Sequence, residues 1–146
     1  MAAPGASTTD TQLATRLRLA VGRLHRRIRL ASNDIPPLQL STLVSIEEHA
    51  PLRLGELAAR EAVTAPTMTR VLAGLDERRL IVRVPDPQDA RSVRVSLSEQ
   101  GRTVLEDVRS RRTALLDARL ARLTAQQRAA LVAALPALEA LVTEDP

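Results

Sequence analysis

The chain has no cysteine, no tryptophan, tyrosine or phenylalanine, and no lysine. Each absence removes a class of function. Without thiols there is no disulfide framework, zinc-thiolate site, cysteine nucleophile or cysteine redox switch. Without aromatic rings the core must come from Leu, Val, Ile, Ala and two Met, a set suited to helices with leucine-rich stripes. Without lysine, all 21 basic residues are Arg, and against 17 acids the net charge is only +4. Their placement, not their number, must therefore identify any partner. No window approaches the ~20 apolar residues of a membrane-spanning helix, and the first residues lack the basic and apolar pattern of a signal peptide. A soluble cytoplasmic protein with no membrane partner is expected. Histidine is scarce too: His25 and His49 have no Ser or Asp partner at a recognisable spacing. Glu47, Glu48 and His49 are adjacent, so a helix points them to different sides and they cannot converge on one ion. With no glycine-rich phosphate loop either, the expectation is no enzyme, no metal and no cofactor.

What is present reads as one domain of 146 residues, mainly α with a small β-hairpin. Residues 1–9 are small and polar and read as a disordered tail. Leu13, Leu17, Val21, Leu24 and Ile28 recur at helical spacing behind a Thr9/Gln12 capping pattern, giving a first helix that ends near Asn33. Pro36 and Pro37 open a second helix with Leu40, Leu43, Val44 and Ile46 inward, and Pro51 stops it before an extended link over 52–54. A short helix from Gly55 to about Ala62 and a longer one from Thr64 to Arg79 follow with only a tight turn between them, the spacing of a helix-turn-helix. In the longer helix Met68, Val71, Leu72 and Leu75 form one apolar face. The opposite face then carries Pro66, Arg70, Ala73 and Glu77, flanked by Thr67 and Thr69.

Segment 81–84 is β-branched, and Val93, Val95 and Leu97 alternate with polar residues, so a hairpin with a long charged tip over 85–91 is predicted. Ser98 caps a long helix to about Leu123, and the Thr124/Gln127 box opens a last one that Pro136 should kink. The first and last helices are more apolar than one small lobe can cover, which implies a homodimer with a helical interface.

The runs Leu54-Gly55-Glu56-Leu57-Ala58, Pro66-Thr67-Met68-Thr69-Arg70-Val71-Leu72, Leu75-Asp76-Glu77-Arg78-Arg79-Leu80-Ile81 and Asp86-Pro87-Gln88-Asp89-Ala90-Arg91-Ser92, with Leu97-Ser98-Glu99-Gln100-Gly101, resemble the MarR family of bacterial regulators. The sharpest piece is Asp89-Ala90-Arg91 placed between two strands behind a helix-turn-helix. The resemblance implies a winged helix-turn-helix lobe over 36–98, dimerised through helices in 10–35 and 99–146, within a single domain over 10–146. It also implies a transcription regulator, by family default a repressor, that binds double-stranded DNA at a pseudo-palindromic operator and is released by a small-molecule effector.

DNA chemistry assigns roles to the candidate contact residues Pro66, Thr67, Thr69, Arg70, Arg91 and Arg94. Arg70 on a groove-inserted helix can pair with guanine O6 and N7, Thr67 can reach a phosphate or base, and Pro66 offers a surface to a thymine methyl. Arg91 at the wing tip suits a narrow minor groove, and Asp89 would hold the loop and orient it. Arg53, Arg83 and Arg94 lie close enough in sequence to bind phosphates or to be ornament, the two weighing equally. Two departures from the family stand out. Arg79 occupies the place where Gly usually ends the recognition helix, and an effector cleft could offer only aliphatic walls and cations, with Arg16, Arg23 and His49 as candidates and no effector named. The competing reading is a winged-helix module that binds protein instead of DNA.

Overall fold

Proline and serine mark the ends of several elements along the chain. In the computed structural model, which describes residues 8–31 and 35–143, the elements are α1 (Thr8–Leu30), α2 (Pro37–His49), β1 (Leu52–Arg53), α3 (Leu54–Arg60), α4 (Ala65–Glu77), β2 (Ile81–Asp86), β3 (Asp89–Leu97), α5 (Glu99–Leu120) and α6 (Ala125–Ala140). Helix α1 begins within the span read as tail, taking in Thr8 and Thr9, while residues 1–7 and the stretch around Asn33 lie outside the described residues. Pro37 opens α2, where its missing N–H costs nothing. The chain divides into two compact units between Arg112 and Thr113.

The core of the first unit gathers Leu40, Leu43 and Ile46 of α2, Leu57 of α3, the apolar face of α4, and Leu105 and Val108 of α5. Met68, Val71, Leu72 and Leu75 are all buried, as the helical period requires, which leaves Pro66, Thr69, Arg70, Ala73 and Glu77 outside. An antiparallel sheet of order β1-β3-β2 closes the core with Leu52, Ile81, Val95 and Leu97. Segment 52–54 is thus partly a strand: Leu52 pairs with Val95 and Arg53 with Arg94.

The hairpin differs from the sequence expectation of a long loop. Strand pairing runs out to Asp86 and Asp89, so Pro87 and Gln88 alone make the turn. The Asp86 carboxylate accepts the N–H of Gln88 at 2.9 Å and so supplies the turn from within the chain. Between the pairs Pro85–Val93 and Asp86–Asp89 the register slips, and Ala90, Arg91 and Ser92 of β3 have no partner on β2.

Helices α3 and α4 both end in the same way. Arg79 N–H donates to the Asp76 carbonyl at 2.9 Å and Leu80 N–H to that of Leu75 at 3.0 Å; Ala62 and Val63 repeat the pattern on Ala59 and Ala58. These are Schellman motifs, which need a left-handed residue after the cap, and here Ala62 (φ 53°) and Arg79 (φ 57°) occupy that place instead of Gly. Arg79 therefore adopts the strained conformation and leaves the turn unaltered. Ser98 reads this corner: its Oγ donates to the Arg79 carbonyl at 2.7 Å and accepts Gly101 N–H at 2.9 Å, capping α5. A Cβ on Gly101 would stand 2.1 Å from the Leu80 carbonyl oxygen, so the close approach of α5 to this turn requires glycine.

In the second unit α6 starts from Thr124, whose hydroxyl accepts Gln127 N–H at 3.2 Å while the Gln127 amide oxygen accepts Thr124 N–H at 3.0 Å. The helix runs on through Pro136 without interruption. Neither α1 nor α6 buries a residue among those described.

Candidate nucleic-acid interface

A helix N-terminus and a wing can address DNA only if their cations are free to leave water for phosphate or base. Thr64 begins α4, its hydroxyl accepting Thr67 N–H at 3.4 Å and lying 3.0 Å from the Thr67 hydroxyl. Pro66 is exposed in the first turn, and Thr69 donates its hydroxyl proton to the Ala65 carbonyl at 2.9 Å, keeping its lone pairs outward. Arg70, one turn into the helix, is exposed and has no hydrogen-bond or ion-pair partner among the described residues.

On the wing, Arg91 sits in the unpaired stretch of β3, with its side chain exposed and likewise without a partner among the described residues. Its backbone N–H donates to Asp89 Oδ1 at 3.0 Å, a local bond that fixes the chain direction there. A groove of about 560 Å3 opens between the wing and the start of α3, with Arg53, Arg83 and Arg91 among its walls.

The three arginines that sequence left evenly weighed are all engaged internally. Arg83 on β2 donates from Nε to Asp76 Oδ2 at 2.7 Å, tying the wing to the end of α4. Arg53 Nε donates to Asp86 Oδ2 at 2.5 Å, and Arg94 Nε lies 3.1 Å from the same oxygen without hydrogen-bond alignment. The structure therefore separates Arg94 from the other candidate contacts: it faces a carboxylate, with its side chain 24% exposed.

Asp86 is the residue that sequence reasoning missed. Its composition context, Asp-Pro-Gln-Asp, reads as a solvated loop, yet its side chain is fully buried. The Arg53 guanidinium above all, then the Gln88 N–H and Arg94, hold its carboxyl well below the usual carboxylate range against the opposing effect of desolvation. The signal that could have found it is the Asp-x-x turn geometry combined with one arginine on β1 and one on β3, Arg53 and Arg94, which pair with each other. Elsewhere Arg109 on α5 grips Glu47 on α2 through both Nη atoms, which lowers the Glu47 pKa and braces α5 against the lobe.

A second concavity, about 890 Å3, lies in the first unit, with His25, Arg29 and Arg112 set among Leu30, Ile35 and Val44. Arg16, Arg23 and His49, the cations read from sequence as cleft candidates, do not line it. No group of three or more His, Cys, Asp or Glu side chains suited to a metal occurs among the described residues, and no described helix is long and apolar enough to cross a membrane.

The profile of the MarR family matches residues 35–93. An uncharacterized HTH-type transcriptional regulator of Mycobacterium bovis is 39% identical over 140 residues, covering 94% of this chain and 98% of that protein. The HTH-type transcriptional repressor MdtR of Bacillus subtilis is 28% identical over 122 residues, covering 80% of this chain and 79% of its own. Among solved structures, a putative transcriptional regulator from Pseudomonas aeruginosa superimposes with a TM-score of 0.82 at 35% identity, covering 96% of this chain and 100% of that one.

Proposed function

The chain belongs to the MarR family of transcriptional regulators, and from that premise we propose that it binds DNA sequence-specifically as a homodimer and represses transcription. The observation that carries this reading is selective pairing. Around the helix-turn-helix and wing, Arg53 and Arg94 share the Asp86 carboxylate and Arg83 pairs with Asp76, whereas Arg70 on the outer face of α4 and Arg91 at the wing tip remain exposed and unpaired among the described residues. An exposed, unpaired arginine on the outer face of α4 or at the wing tip is available to an external phosphate or base edge. In this reading α4 enters the major groove. Arg70 contacts guanine, Pro66, Thr67 and Thr69 contact flanking bases or phosphates, and Arg91 enters the adjacent minor groove with Asp89 orienting it.

Unburied apolar surface supports the dimer. Leu13 (64% exposed) and Val21 (53%) on α1, with Leu135 (49%) and Leu141 (71%) at the other terminus, are left uncovered by the chain itself. Burying such faces releases roughly 25 cal/mol per Å2, and a second copy is the partner that closes symmetry on a palindrome. The 890 Å3 concavity lined in part by His25, Leu30, Ile35 and Val44 is the seat of a small-molecule effector that releases the protein from DNA. An interaction module for another protein would need an apolar outer face on α4, and Arg70, Ala73 and Glu77 provide none.

Selection of bound duplexes from a random pool by the purified full-length chain tests the reading. Enriched sequences should form an inverted repeat with half-sites about one turn, ~34–36 Å, apart. Recovery of no enriched sequence would refute it.

A further inference from the structure

We propose that Asp86 is a positioning residue for DNA recognition, its buried carboxylate fastening the wing that carries Arg91 to the entrance of the helix-turn-helix. The proposal rests on the reading of Arg91 as a DNA contact given above.

Asp86 is 3% exposed and is the buried charged residue among those described. A carboxylate is removed from water at a large cost unless it is paired and hydrogen-bonded, and here two hydrogen bonds and a second guanidinium supply this. One oxygen meets Arg53, the residue directly before α3, and Arg94 on β3; the other accepts the Gln88 N–H in the hairpin turn. The same residue is thus hydrogen-bonded to the root of the helix-turn-helix and to the wing tip, and ion-paired with the body of the sheet.

What makes this consequential is the register slip. Ala90, Arg91 and Ser92 have no partner on β2, so the ladder does not fix where Arg91 stands. Among the described residues two anchors act at the tip itself: the bond from Arg91 N–H to Asp89, which is local, and Asp86, which refers the tip to the start of α3. Arg53 also connects onward, since its own N–H donates to Glu56 at 2.7 Å in the first turn of α3. Displacement of that carboxylate would let the tip swing relative to α4 without disturbing either the helix or the strand pairing from Ile81–Leu97 to Pro85–Val93.

Electrostatics alone predicts the opposite sign. Removing Asp86 frees Arg53 and Arg94 and adds one positive charge near the proposed DNA surface, which should tighten binding to any duplex. Positioning predicts weaker binding to the right one.

The test is a double-mutant cycle in the full-length chain, measured by fluorescence anisotropy on a duplex selected by the parent protein and on a scrambled duplex of the same composition. Asp86→Asn should lose affinity for the selected duplex by roughly tenfold, the size that one arginine contact carries, while keeping or gaining affinity for the scrambled one. In an Arg91→Ala background the same change should cost nothing further. Arg53→Gln, which leaves Asp86 with Arg94 and cuts only the tie to α3, should show the same dependence on Arg91, and it decides the matter if circular dichroism shows Asp86→Asn unfolded. Equal or tighter binding of the selected duplex by these variants, or an equal loss in both backgrounds, overturns the proposal. If Arg91→Ala alone binds the selected duplex as the parent does, the reading of Arg91 falls first and this inference with it.

Discussion

Arg79→Gly should stabilise the protein although it removes a charged side chain and touches no core residue. Arg79 is exposed and holds φ at 57° in the Schellman motif that ends α4. A left-handed residue with a Cβ costs about 1–2 kcal/mol, whereas glycine gives back about 0.5–1 kcal/mol through the extra freedom of its unfolded chain. The net expectation is a gain of about 0.5–1 kcal/mol, or about 1–4 °C in Tm for a chain of this size. All backbone bonds of the corner, including the Ser98 Oγ donation to the Arg79 carbonyl, survive the change. Thermal unfolding followed by circular dichroism, at one fixed protein concentration because self-association raises Tm, measures the difference. Arg79→Ala is the control: it deletes the charge and keeps the strain. If Arg79→Gly is no more stable than Arg79→Ala, backbone strain at this corner is not what the conformation implies, and the argument fails.

Gly101→Ala should act in the other direction, because its Cβ would stand 2.1 Å from a backbone oxygen that cannot rotate away; a loss of about 1–3 kcal/mol or more, with a shift of α5 against the Leu80 turn, is expected in urea unfolding. Ala62→Gly relieves the same strain in the turn between α3 and α4 and should add about 0.5–1 kcal/mol, read from the urea midpoint at unchanged slope. Asp86 titrates below its unfolded value, so its contribution to stability is present above about pH 3.9 and is lost as pH falls below it; Asp86→Asn should flatten the acid limb of the stability profile, and an unchanged limb would contradict the pairing. Arg70→Ala should relax preference at one base step per half-site, by roughly 1–3 kcal/mol, in a repeat of the duplex selection.

Much of the lobe was legible because periodicity reports burial directly. Met68, Val71, Leu72 and Leu75 define α4 and its outer face without reference to anything else, and the buried Val95 and Leu97 continue the alternation of β3. What escaped was long-range. Strand β1 is two residues, Leu52 and Arg53, and exists only because Val95 and Arg94 present partners more than forty positions later. The wing tip read as a loop because Pro and Asp are turn formers by composition, yet Asp86 uses its side chain to tighten the turn to two residues. For Arg94 the sequence weighs contact and ornament equally, and only the approach of Asp86 on the facing strand reveals a carboxylate there. Arg79 read as a departure of unknown effect; its positive φ shows that the motif outweighs the residue. Helix α1, by contrast, shows its stripe in sequence, while none of its residues is buried within the chain.

The most direct test of the central idea is the salt dependence of binding to a selected duplex by the parent chain, Arg70→Ala and Arg91→Ala, titrated across several salt concentrations. A contact made by each subunit of a dimer accounts for a change of about 1.8 in the logarithmic slope, about 0.9 for each phosphate neutralised. Arg91→Ala is expected to bind more weakly with a slope shallower by about that amount, and Arg70→Ala to lose base preference. Variants that bind with the parent's affinity, slope and sequence preference would contradict the assignment of both arginines to DNA.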